Sequence, residues 1–161
     1  MTMLERLLGH DLAATSELLH LCLPLDDEAF DREFDAGWRT LRATFHHMIR
    51  NIESWTDLML ERPVRLSSEK RSPAELLDRL ERSYAEFAAL ALQIEREGKL
   101  DNLWTDILDE PPKQKSYGGG IGHVITHNMH HRAELQHMLH RLPIENVPEG
   151  DLMSWDRSQH G

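Results

Sequence analysis

Apolar residues recur in steps of three and four along most of the chain, and four stretches sustain that period long enough to predict amphipathic helices. The first covers roughly residues 2–22, with a stripe of Leu4, Leu8, Leu12, Thr15, Leu19 and Cys22. Thr2 and Glu5 give it a capping-box start. The second, over roughly 37–62, carries Trp38, Leu41, Phe45, Met48, Ile52, Trp55 and Met59. The third, roughly 72–98, opens on Ser72, Pro73 and Glu75: an N-cap, a first-turn proline and an acid placed to reach back to the cap. Its seam is Leu77, Leu80, Tyr84, Phe87, Ala91 and Ile94. The fourth spans roughly 119–142 and stops at Pro143.

The connections differ in character. "LPLDDEAFDREFDAG" is acidic, with room for a helical turn. "KLDNLWTDILDEPPKQKSYGGG" is too long for a plain turn and predicts a short irregular element, while no stretch shows the alternation of a strand. Residues 143–161 read as a surface tail anchored by Leu152, Met153 and Trp155. Four amphipathic helices of about 20 to 27 residues bury their stripes only against one another. The prediction is an all-α four-helix bundle, one domain over residues 1–161.

Composition narrows the function classes. The 161 residues are 40% hydrophobic and 29% charged, the balance of a globular chain. No apolar run reaches the ~18 residues of a membrane span, and the charged N-terminal stretch reads as an amphipathic helix rather than a signal peptide. A net charge of −10, with 18 basic residues scattered among 28 acidic ones, argues against nucleic acid as a partner. The one cysteine, Cys22, sits in the apolar stripe, which predicts a buried inert thiol and suits a reducing cytoplasm.

The chemistry concentrates in "THNMHHRAELQHMLHRL", which holds five of the 11 histidines. At about 100° per residue, the inward stripe of the fourth helix is Ile121, Val124, Leu135, Met138, Leu139 and Leu142. His131 lies inside that stripe and His127 on its edge, whereas His123, His130, His137 and His140 turn toward water. His127 and His131, four residues apart, project side by side at about 6 Å along the axis, the spacing at which two imidazoles grip one cation. A ladder continued back to His123 fails, because its ends lie about 12 Å apart. A third ligand therefore has to come from another helix.

The second helix offers His46 and His47 on opposite edges of its stripe, and periodicity does not choose between them. Their neighbours favour His47, which shares a polar strip with Thr44 and Asn51; His46 sits toward Arg42 and Glu53 and reads as solvated. The residues alone leave two readings open, a His47/His127/His131 metal site and a set of satisfied, semi-buried histidines.

At these residues the chain resembles the DinB/YfiT-like metal-binding four-helix bundles. Their fourth-helix signature, a histidine, three residues, then His-His-Arg, is seen as "HNMHHRAEL". Their second-helix signature is seen as "HMIRNIESW", from His47 to Trp55, and "FDAGWRTLRATFHHMI" and "VPEGDLMSWD" also look like segments of the family. The resemblance implies metal ligands at His47, His127 and His131, an up-down-down-up bundle, zinc or nickel as the divalent ion, and a homodimer. It also implies a thiol-dependent S-transferase or isomerase, with a low-molecular-weight thiol and, for transfer, an electrophile as partners. Where many relatives have Gly-Gln after His-His-Arg, this chain has Ala133-Glu134.

Three neutral imidazoles leave a divalent ion one or two open positions, the mark of a catalytic site. A bound thiol would give a thiolate for S-transfer; a bound water would give hydrolysis; a metal used only for structure, sensing or dimer assembly is the non-catalytic alternative. Asn51 and Glu134 are the groups placed to support the ligands. Arg132 points into the apolar stripe, and the one acid inside the stripe of the first helix is Asp11, so a bridge between the two is expected; the alternative is an arginine that snorkels to the surface. "YGGGIG" follows no strand and reads as a flexible lead into the fourth helix.

Overall fold

The computed structural model describes all 161 residues. Its long helices are α1 (Met3–Cys22), α3 (Leu41–Met59), α4 (Pro73–Arg96) and α5 (Tyr117–Leu139), with two short helices, α2 (Asp27–Phe30) and α6 (Leu152–Ser158). Both predicted capping boxes form: Thr2 and Ser72 accept from the amides of Glu5 and Glu75, whose carboxylates reach back to the cap amides. α3 packs against α4 and α5, and α1 packs against the same two helices, so the apolar faces of all four meet in one core. No helix is long and apolar enough to cross a membrane.

Both boundaries of α3 depart from the sequence expectation for local reasons. α3 begins at Leu41 rather than near 37 because Gly37 and Arg39 both adopt positive φ, 44° and 71°, which no right-handed helix contains. Thr40 then caps it, accepting from the amide of Ala43 at 3.0 Å. Trp38, expected in the core stripe, is left outside the helix and is 50% exposed. The same helix stops at Met59 because Glu61 turns left-handed. The amides of Glu61 and Arg62 close back on the carbonyls of Leu58 and Asp57, a Schellman end built without glycine.

The segment expected to be irregular is an antiparallel hairpin, β1 (Leu103–Asp106) with β2 (Lys113–Ser116), in register Leu103↔Ser116. Its strands are four residues each, and "KQKS" carries no apolar alternation, so the pattern was invisible. The hairpin inserts Trp104 into the core and delivers Ser116 as the N-cap of α5. The C-terminal tail also holds more structure than expected. α6 lies on α1, where Gly9 admits the indole of Trp155; a Cβ there would stand 2.6 Å from it. Leu152 is partly buried, but Met153 is 74% exposed and anchors nothing.

Candidate metal centre

Because α3 and α5 are neighbours, His47 on the first faces His127 and His131, one turn apart on the second. The Nε2 atom of His127 lies 3.1 Å from that of His47 and 3.2 Å from that of His131. The three residues offer nitrogens within 4.8 Å of one another, as a shared cation requires. Ligand bonds of ~2.0–2.1 Å in a tetrahedron set their donor atoms about 3.4 Å apart, so the donor set fits a divalent ion with only small movements. A second trio, His130, His131 and Glu134, meets the same distance criterion but spends His131 Nδ1 on its bond to Glu134 and relies on the exposed His130.

The electrostatics keep the cluster ready to donate electrons. Partial burial, reinforced by the charge of the neighbouring imidazoles, pushes His127 down to about 4. Burial likewise, with the charge of His131 next, pushes His47 down to about 4, although Glu134 pulls the other way. Both rings are neutral at pH 7, so neither carries a charge that would repel a metal ion.

Neighbouring groups orient the rings. His131 donates from Nδ1 to Glu134 Oε2 at 2.7 Å, which fixes its proton there and leaves Nε2 bare toward the cluster. Asn51 contacts His127 Nδ1 at 3.2 Å and accepts the indole N–H of Trp55 at 3.0 Å. Trp38 stacks on His47 with centroids 4.4 Å apart and 28° between planes. Its loop reaches that position because Gly37 lies against Glu134; a Cβ there would collide with the carboxylate. The loop's role was hidden in the sequence, where Trp38 looked like one more core position.

His46 departs from expectation. It is half-buried, with Nδ1 3.2 Å from Arg79 Nη1 and Nε2 3.2 Å from Ser67 Oγ, because α4 packs along that edge of α3. Its companion Glu53 is buried too and paired with Arg79 at 3.1 Å. His123, His130, His137 and His140 are exposed, and His123 lies tilted against Trp55, with centroids 4.7 Å apart.

Away from the cluster, Arg132 Nη1 binds the Asp11 carboxylate directly and Thr15 Oγ1 at 3.2 Å. The other oxygen of Asp11 accepts Tyr84 Oη and Asn128 Nδ2, each at 2.8 Å. Burial raises the Asp11 carboxyl from its ordinary value, with the Arg132 charge opposing. The parts of Tyr84 and Asn128 in this buried network were missed; Asn128, four residues before Arg132 and on its face, was the available signal.

These observations define a mostly helical protein with histidine groups that could hold a metal. The chain belongs to the DinB family, whose model matches residues 1–148. No match was found among curated proteins.

Proposed function

We propose that the chain is a divalent-metal protein, loaded with zinc or nickel at His47, His127 and His131, that transfers the sulfur of a low-molecular-weight thiol to an electrophile. The observation that carries this reading is the convergence of three Nε2 atoms from two helices, the closest pairs at 3.1 and 3.2 Å. In this reading the bundle is of the up-down-down-up kind.

A divalent ion held there would lower the pKa of a bound thiol and so supply the thiolate nucleophile. The residues of the chain do the rest. The depressed basicity of His47 and His127 keeps protons from competing for their lone pairs. Glu134 holds the His131 ring by its Nδ1 proton. The half-exposed Trp38 indole, lying on His47, gives an apolar wall for the body of the electrophile. The thiol gives its S–H proton to solvent, its sulfur attacks the electrophilic carbon there to form the C–S bond, and the leaving group departs with the electron pair of the bond that breaks.

The test is metal content of purified wild-type and His127→Ala protein, followed by thiol consumption against a panel of electrophiles. Stoichiometric metal in the wild type, its loss in the variant, and metal-dependent thiol consumption support the reading. Metal bound with no turnover of any thiol across the panel overturns the transferase and leaves a non-catalytic metal bundle. An absence of metal from both proteins after growth and refolding with zinc and nickel overturns the site itself.

A further inference from the structure

A cavity of about 450 Å³ lies between α1, α5 and the C-terminal strap at 149–152. Its α5 wall, which includes Ile125, Met129 and Ala133, is turned roughly half the helix circumference from His127 and His131, so it is separate from the histidine cluster. Leu7, Leu18, Ile125, Met129 and Leu152 supply apolar surface. The volume falls in the ~300–1,000 Å³ range of small-molecule sites.

One polar group in the lining stands out. Arg132 is 6% exposed, and its Nη1 is taken by Asp11 and Thr15. Its Nε and Nη2 make no hydrogen bond within the protein, and neither is among the buried polar atoms left without a partner, so both keep contact with solvent; Arg132 is one of the residues that line the cavity. Those two N–H groups form the side-on fork of a guanidinium, which matches the two oxygens of a carboxylate. Asp11 already balances the charge of Arg132, so recognition here is directional, by two aimed hydrogen bonds within apolar walls.

The strap that closes the cavity is held on purpose-built contacts. Gln136 Nε2 donates to the carbonyls of Pro148 and Glu149 at 2.9 and 2.7 Å, and His10 Nε2 donates to that of Gly150 at 2.7 Å. Gly150, at φ 68°, makes the bend. Residues 149–152, which lead into α6, supply this wall of the cavity.

From this arrangement we infer a second binding site, for a small amphipathic monocarboxylate whose head sits on the Nε/Nη2 fork of Arg132 and whose hydrocarbon body fills the cavity. The site is independent of the metal proposal. The probe is octanoate, titrated calorimetrically into the full-length protein in EDTA, with 1-octanol and octylamine as length-matched controls.

Octanoate is expected to bind saturably at one site, at least about tenfold more tightly than either control, since each lacks the pair of acceptors that the fork requires. Arg132→Lys keeps a cation for Asp11 but loses the fork, and weakens octanoate by a similar factor. Ala133→Phe, at an exposed position of α5, fills the mouth and abolishes binding even if the lysine variant fails to fold. Absence of saturable binding, equal affinity for all three probes, or full affinity in folded Ala133→Phe overturns the inference.

Discussion

The side-chain amide of Asn51 donates to Nδ1 of His127, at 3.2 Å, in the orientation that the Trp55 indole imposes by occupying the amide oxygen at 3.0 Å. With Nδ1 as acceptor, the proton of neutral His127 sits on Nε2, the atom that faces His47 and His131. Metal binding through that Nε2 requires the proton to leave or move to Nδ1. The Asn51 amide must then turn over, which sets its NH2 against the Trp55 N–H. Trp55→Phe removes this opposition and is expected to strengthen zinc binding about tenfold, the lower end of the range for groups that orient ligands. Competition with a chromophoric chelator measures it; unchanged or weaker binding in a folded variant counts against the tautomer argument.

The depressed basicity of His47 and His127 also fixes a pH dependence for the metal-free protein. Unfolded imidazoles titrate near 6.5, whereas these two titrate at about 4 in the fold. Between those values the unfolded chain binds more protons than the folded one, so stability falls as pH drops from about 6.5 toward 4 and is unaffected by this pair above it. Asp57 acts in a lower window. Burial would raise its carboxyl, but bonds from Arg65 and Arg62 outweigh it and hold it at about 2, so its contribution is lost only below the ordinary carboxylate value of 3.8. Urea midpoints at pH 7.5, 5.5 and 4.5 are expected to fall less steeply for His47→Gln/His127→Gln than for wild type.

Glu134 is the acceptor for His131 Nδ1–H at 2.7 Å. Glu134→Gln retains an acceptor oxygen but removes the negative charge that makes the His131 ring a stronger donor. Metal affinity is expected to drop roughly tenfold with the fold intact. If isotope-edited NMR shows His131 Nδ1 still protonated while affinity is unchanged, the carboxylate's charge is irrelevant to the site.

What the sequence made legible was periodic. Helical spacing singled out His131 as inward and His127 as its neighbour on the edge, and burial follows that order. The second-helix histidine needed its neighbours: the polar strip with Asn51 favoured His47, and Asn51 does reach toward the cluster. What stayed hidden was set by tertiary contact. Trp38 has the spacing of a core residue, but the positive φ angles at Gly37 and Arg39 swing it onto His47 instead. His46 looked solvated because Arg79, its partner, is contributed by a helix 33 positions further along the chain. The hairpin escaped because four-residue strands, one of them "KQKS", carry too little alternation to register.

The bridge between α1 and α5 permits a prediction in free energy. Asp11 is fully buried and Arg132 is 6% exposed, so solvent does little to screen them. Removing either partner strands the other as a buried charge, and Asp11→Ala or Arg132→Ala is expected to cost on the order of 3–5 kcal/mol. The double variant removes both charges together and costs less than the sum, with a coupling of about 1–3 kcal/mol. Tyr84 and Asn128 temper the Arg132→Ala loss, because they still donate to Asp11. The coupling from urea unfolding is expected to hold between 0.1 and 1 M NaCl (about 10 and 3 Å Debye lengths). A coupling that vanishes at the higher salt means that the guanidinium reaches water, and the pair then contributes no more than an exposed ion pair does.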